Sequence, residues 1–94
     1  MAVVGLLSVE LHLARARSLK DKRMVLRSMK DRLRRLNVAV AELDHQDLWQ
    51  RSTLGIVTIG PTTERVDQSL EAAIEEMERT DPGAVVRSEV EYLT

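Results

Sequence analysis

The chain has no cysteine and no phenylalanine, and its 94 residues include one tryptophan, one tyrosine and two prolines. Without cysteine, it can form neither a disulfide nor a cysteine-ligated metal site. The scarcity of aromatic residues leaves Leu, Val, Ile, Ala and Met to build the core. No apolar run reaches the roughly 18 residues that a membrane-spanning helix requires. The apolar start also lacks the basic residues of a signal peptide, so we expect a cytoplasmic protein with no membrane segment.

Charge is distributed unevenly along the chain. Hydrophobic residues make up 44% and charged residues 31% of the sequence, as in an ordinary folded protein, and we expect residues 1–94 to form one domain. The net charge is −1, yet residues 14–36 contain ten basic and two acidic side chains, whereas residues 62–94 contain three basic and nine acidic ones. Such asymmetry favours either an anionic partner for one surface or attraction between subunits.

The most informative stretch is residues 18–36, SLKDKRMVLRSMKDRLRRL. Ser18 followed three residues later by Asp21 is a variant of the capping box and predicts the start of a helix. Apolar residues recur along one side of this helix. Beside them runs a second row at alternating i+3 and i+4 steps, which we call the basic stripe: Lys20, Arg23, Arg27, Lys30 and Arg34.

The rest of the chain predicts four strands and a second helix. The helix follows Pro61 and ends before Asp81, and the strand patterns occupy residues 3–13, 38–45, 51–60 and 84–93. The order βαββαβ is that of an α+β ferredoxin-like sandwich. It predicts a four-stranded antiparallel sheet of order 4-1-3-2 with two helices on one face. The other sheet face would expose apolar residues such as Val4 and Leu6, and we predict that a homodimer covers it.

Two segments carry a resemblance to a known family: SLKDKR at residues 18–23 and DHQDLWQR at residues 44–51. Together with the short βαββαβ pattern around them, they closely resemble the YlxP-like family of small, conserved bacterial proteins of unknown function. The resemblance implies a ferredoxin-like fold and covers nearly the whole chain. Genes of that family lie beside genes for translation initiation and ribosome maturation factors in many bacteria, which implies an association but no mechanism.

The predicted topology gathers polar residues at one end of the sheet. Arg15 and Arg17 lie in the loop before the first helix, whose N-terminus adds free amides suited to an anion such as phosphate. The other candidates form what we call the end cluster: His12, Lys22, Asp44, His45, Asp47, Trp49 and Arg51. Its spacing matches no established metal motif, and we predict neither a metal nor a cofactor.

A purely structural role is the alternative for the end cluster. In that interpretation Asp44 and Asp47 neutralise the arginines in salt bridges, and Trp49 packs over the end of the core. Lys22 falls within the apolar side of the helix. It either extends its ammonium group to solvent near the helix start or is held by one of these two aspartates.

Two functional hypotheses follow. The first is a non-enzymatic protein that binds RNA or a ribosomal particle through the basic stripe, because no catalytic motif is found and arginine suits phosphate. The open sheet face lacks the aromatic residues on which ferredoxin-like RNA-recognition domains stack bases, so backbone contacts should dominate. Against it, the stripe can be a merely solvated surface. Alternatively, the acidic row of the second helix can neutralise it within a monomer or across a dimer; this row consists of Glu64, Asp67, Glu71, Glu75 and Glu78. The second hypothesis is a homodimeric regulatory or small-anion-binding module that uses residues 44–51.

Overall fold

The computed structural model describes residues 1–93 and has the predicted ferredoxin-like architecture. In these residues the elements run β1 (Val3–His12), α1 (Leu19–Leu33), β2 (Ala39–Asp44), β3 (Arg51–Gly60), α2 (Thr63–Thr80) and β4 (Val85–Tyr92). The strands form an antiparallel sheet of order β2-β3-β1-β4. This is the predicted order read from the opposite edge, so the fold prediction is confirmed.

The first helix is shorter at its C-terminus than the pattern predicts. It ends at Leu33 rather than near Leu36. The amides of Arg35 and Leu36 donate to carbonyls three residues earlier, on Arg32 and Leu33. Such tightened turns satisfy the last helical carbonyls and end the α-helix.

Side chains cap the start of both helices. The Ser18 hydroxyl accepts the amide of Asp21 at 3.0 Å, and the Asp21 carboxylate in turn accepts the amide of Arg17 at 3.0 Å. This reciprocal arrangement is the predicted capping-box variant. At α2 the Thr62 hydroxyl accepts the amide of Arg65 at 3.2 Å. Each helix therefore starts at a position fixed by the sequence.

The core lies between the helices and one face of the sheet. Alternate residues of β1 point towards the helices, and the buried positions of α1 and α2 recur at helical spacing against them. The fully aliphatic core that the composition predicts consists mainly of Leu7, Val9, Leu11, Leu13, Leu26, Met29, Leu33, Leu54, Ile56, Val66, Leu70, Ala73 and Met77. Neither helix in residues 1–93 is both long and apolar enough to cross a membrane.

Acidic side chains connect α2 to β4. The Tyr92 hydroxyl donates to Asp67, and this hydrogen bond to a carboxylate raises the pKa of Tyr92. Near the other end of α2, the Glu78 carboxylate accepts the amides of Gly83 at 2.8 Å and Val85 at 3.1 Å. Part of the acidic row of α2 therefore faces β4.

No helix covers the second sheet face, which we call the open face. Its half near the start of β1 is apolar, with Val4 paired to Ile59 and Leu6 to Val57. Ile59 is 57% exposed. The other half is polar and has a shallow cavity of about 270 Å³ lined by Ser8, Glu10, Thr53, Arg87 and Glu89.

Substitution of Gly5 tests the close packing of α2 on β1. A Cβ atom on Gly5 would lie 2.5 Å from Val66 Cγ1 and 3.2 Å from Leu70 Cδ1. Because both neighbours are in the core, Gly5→Ala should lower the free energy of unfolding in urea by about 1–3 kcal/mol. Gly55→Ala is the matched control, since its Cβ would meet only the end of the exposed Leu43 side chain. A loss at Gly55 as large as that at Gly5 would contradict this account.

Candidate functional site

The basic stripe follows the buried row of α1 by one residue. The buried positions are Lys22, Leu26, Met29 and Leu33, and the next residue in each case is a stripe member. Successive residues of a helix are rotated by about 100°, so the basic stripe lies beside the buried row. From residue 20 to residue 34 the stripe is about 21 Å long. Lys30 is half-buried, and the other four stripe residues are exposed.

An interhelical ion pair shows which way the basic stripe faces. Arg32 Nη1 lies 3.7 Å from Glu76 Oε1 on α2. Arg32 precedes the buried Leu33 by one residue, whereas Arg34 follows it. The two therefore lie on opposite flanks of the buried row, about 160° apart. Because Arg32 faces α2, the basic stripe lies on the flank of α1 away from α2.

Little within residues 1–93 neutralises the basic stripe. Arg34 forms an ion pair with Asp31 at 3.1 Å, whereas the other four members form no salt bridge or side-chain hydrogen bond within this range. In the acidic row of α2, Asp67 and Glu78 contact β4 instead. The sequence leaves open whether the acidic row of α2 neutralises the basic stripe. Within residues 1–93 the two sets form no ion pair with each other.

The loops at the end of the sheet are held together by hydrogen bonds. Gln50 Nε2 donates to the carbonyls of Ala14 and Ala16, each at 3.2 Å. The Gln50 carbonyl accepts the amide of Leu13 at 2.8 Å. The loop that carries the exposed Arg15 and Arg17 thus lies directly against residue 50.

A pocket at this end brings four end-cluster residues together. Its volume is about 450 Å³, and its lining consists of His12, Asp47, Leu48, Trp49, Gln50 and Arg51. His12 and Arg51 are register partners on β1 and β3, so their side chains are neighbours on the open face. Trp49 is 54% exposed. We call this site the end pocket.

The predicted structural roles of three end-cluster residues are wrong. Among residues 1–93, the Asp44 carboxylate lies within 4 Å of no basic side chain except His45, whose Nε2 is 3.9 Å away, and Asp47 forms no salt bridge in that range. They therefore neutralise no arginine. Trp49 is exposed and is not part of the core or its packed margin. Its indole lines the pocket instead of closing the end of the core.

Lys22 is buried and has a different partner from those predicted. It is 1% exposed, with Nζ 3.0 Å from Glu42 Oε2 and 2.5 Å from the carbonyl oxygen of His45. Ser52 Oγ donates to the same Glu42 oxygen at 2.7 Å. Lys22 thus neither extends to solvent nor contacts Asp44 or Asp47. It joins α1 to β2 and to the loop after β2, and Glu42 in turn contacts Ser52 on β3.

A β-bulge in β2 explains why Glu42, and not Asp44 or Asp47, is the partner of Lys22. Glu42 is opposite Leu54, whereas Asp44 is opposite Thr53, so Leu43 is an extra residue in β2. This bulge leaves Glu42 on the helix face and turns Asp44 to the open face. The sequence held a signal, since Glu42 continues the inward row of Val38 and Val40 just as Lys22 continues the apolar side of α1. Two charges in two buried rows indicate a buried ion pair.

His45 contributes mainly through its backbone. Its φ of 64° is in the left-handed region, which is uncommon for a residue other than glycine. In this conformation its carbonyl accepts both Lys22 Nζ and the amide of Leu48, at 3.1 Å. Among residues 1–93, no group of three or more His, Asp or Glu side chains is arranged to hold a metal ion.

A family of unknown function matches nearly the whole sequence. The family described as "Protein of unknown function (DUF503)" aligns with residues 4–90. The chain belongs to the DUF503 family. A DUF503-related protein, the uncharacterized protein YlxP of Bacillus subtilis (strain 168), is 31% identical over 73 residues, which cover 77% of this chain and 79% of that relative. The predicted resemblance to YlxP-like proteins is confirmed.

Solved structures similar to this DUF503 chain share its fold. A de novo designed protein with a ferredoxin fold superposes with a TM-score of 0.56 at 15% identity, covering 100% of this chain and 87% of the design. SnoaB, a cofactor-independent oxygenase from Streptomyces nogalater, has a TM-score of 0.52 at 11% identity, covering 99% of this chain and 91% of the oxygenase. At such identities the similarity establishes the fold alone.

Removing the Lys22 charge tests the buried pair of this DUF503 protein. Lys22→Met leaves the Glu42 carboxylate, whose side chain is 17% exposed, without its cation. We expect the free energy of unfolding to fall by about 3 kcal/mol, at the low end of values for a broken buried pair, because Glu42 keeps some contact with water. Urea denaturation measures the loss.

The double variant Lys22→Met with Glu42→Met is the matched control. It removes both charges and leaves neither uncompensated, so it should recover most of the lost stability. A double variant no more stable than Lys22→Met alone would show that the lysine stabilises the fold through something other than this ion pair.

Proposed function

We propose that this protein is a non-enzymatic RNA-binding protein of the cytoplasm that contacts the phosphate backbone of structured RNA, such as that of a ribosomal particle, through the basic stripe of α1. The observation that carries the proposal is that this row of about 21 Å faces away from α2 and, within residues 1–93, has only one internal ion pair, at Arg34. Cations that the fold leaves without counter-charges are suited to an external polyanion.

The composition of the stripe supports phosphate contacts over a merely solvated surface. Three of its five members are arginine, whose planar guanidinium donates two parallel hydrogen bonds to a phosphate. The stripe carries no acidic residue, and in the described part of the chain Asp31 is the one acidic side chain that forms an ion pair with it. Arg15 and Arg17 are exposed in the loop before α1 and extend the positive surface beyond the helix start. Hydrogen bonds from Gln50 hold this loop in place.

A homodimer through the open face is a second candidate. Its supporting observation is the uncovered apolar half of that face, where Val4 pairs with Ile59 and Leu6 with Val57 and Ile59 is 57% exposed. The polar half carries both charge signs, with Arg87 and Glu89 beside Glu10, so a second copy can provide complementary charges. The flat area of the four strands is on the order of 540 Å², which approaches the roughly 800 Å² per partner of a standard interface.

Reversing three stripe charges tests the RNA-binding proposal. Wild-type protein should co-sediment with purified ribosomal subunits at low salt. If five cations contact phosphates, the logarithm of its binding constant should fall with the logarithm of the salt concentration at a slope of about −4. The triple variant Arg23→Glu, Arg27→Glu, Arg34→Glu should lose this retention.

A second triple variant provides the matched control for net charge. Arg65→Glu, Arg79→Glu and Arg87→Glu change the charge by the same amount at exposed positions on α2 and β4. This variant should retain most of the binding. Equal loss in both triple variants, or no retention of the wild type at low salt, would contradict the assignment of α1 as the binding surface.

Sedimentation equilibrium tests the homodimer separately. Ile59→Lys places a charge in the apolar half of the open face and should convert a dimer to a monomer. Met24→Lys is the matched control, since Met24 is 61% exposed on α1 and does not belong to that face. A wild-type protein that stays monomeric at high micromolar concentration would exclude this candidate.

A further inference from the structure

We infer that the end pocket binds an unpaired nucleotide of the RNA, with its base stacked on Trp49 and its phosphate held by Arg51 and His12. This inference rests on the proposed function, because it names the part of the RNA that the pocket recognises. It differs from stacking on the open sheet face, which has no Phe, Tyr or Trp side chain among residues 1–93. The base is held at the end of the sheet instead.

The Trp49 indole is placed where a ligand can reach it. Trp49 is 54% exposed and lines a pocket of about 450 Å³, a volume within the range of small-molecule sites. Leu48 and Trp49 form an exposed apolar wall that polar side chains surround, a pattern found at ligand-binding grooves. An aromatic side chain in a basic setting is the usual platform for a base of single-stranded nucleic acid, since every base offers a π-face.

The wall of the end pocket carries side chains suited to a phosphate. His12 and Arg51 are neighbouring register partners, and their side chains form no salt bridge or hydrogen bond within residues 1–93. Arg51 provides a permanent positive charge and His12 a ring N–H donor, as a phosphate requires. Asp47 is the one acidic member of the lining. Its carboxylate is suited to accept an N–H of a base, and it disfavours occupation by a free inorganic anion.

The loop before α1 connects the end pocket to the basic stripe. Gln50 lies between Trp49 and Arg51 in sequence and donates to the carbonyls of Ala14 and Ala16. The loop that bears Arg15 and Arg17 therefore lies between the pocket and the start of α1. An RNA strand whose backbone follows the basic stripe towards the N-terminus of α1 would contact Arg15 and Arg17 before it reaches the end pocket.

The experiment uses Trp49 as its own reporter, because it is the only tryptophan in the sequence. The full-length protein is titrated with a fluorescein-labelled RNA duplex and with the same duplex carrying a three-nucleotide single-stranded overhang. Label anisotropy measures binding, and tryptophan emission measures stacking. We expect both RNAs to bind, but only the overhang RNA to quench Trp49 and to bind roughly five- to hundredfold more tightly.

Variants separate stacking from charge. Trp49→Leu should abolish the preference for the overhang RNA and leave duplex affinity unchanged, whereas Trp49→Phe should keep part of the preference because it retains a ring. Arg51→Gln should weaken binding of the overhang RNA more than that of the duplex. The exposed position of both residues makes loss of folding a minor concern, and a urea unfolding curve checks it.

The titrations distinguish failure of the end-pocket inference from failure of the stripe proposal. Equal affinity for both RNAs with unchanged tryptophan emission would overturn the end-pocket inference while leaving the stripe proposal intact. Quenching by free adenosine monophosphate without any preference for the overhang RNA would overturn it in favour of a small-nucleotide site. Absence of binding to either RNA at low salt would overturn both proposals.

Discussion

The contact between Lys22 and Glu42 is the constraint on which the site depends. A buried ammonium group needs an anion and further acceptors to offset its lost hydration, and here the partners come from β2 and from the carbonyl of His45. The contacts of the Lys22 ammonium group with Glu42 and with the His45 carbonyl join the start of α1 to the end of β2 and fix the loop that leads to Trp49. The positions of the stripe and of the end pocket relative to each other follow from it.

Sequence patterns predicted the fold because each element has one dominant periodicity. Alternation in β1, helical spacing in α1 and α2, and Ser18 as a cap together leave one arrangement of βαββαβ order. The end of α1 was less well predicted, since the turn after Leu33 depends on local hydrogen bonds that leave no hydrophobic signature.

The site was predicted less completely. The exposed basic stripe follows from helical geometry, but the choice between Glu42 and Asp44 as the partner of Lys22 does not, because the extra residue Leu43 turns Asp44 to the open face. A strict period of two places Glu42 and Asp44 on the same face, and the bulge separates them. The exposure of Trp49 was likewise hidden, since a lone tryptophan after a strand is equally common as a core residue.

The ion pair between Arg32 and Glu76 has a consequence for how the molecule approaches a charged partner. It marks the flank on which the two helices meet, so the unpaired cations lie on one outer side of the helix layer and acidic residues such as Asp67 and Glu78 on the side of β4. Although the net charge is only −1, positive and negative side chains are therefore separated across the helix layer. The field of a polyanion would exert a torque on such a charge distribution and turn α1 forward before contact, which would accelerate productive encounters without requiring an overall attraction.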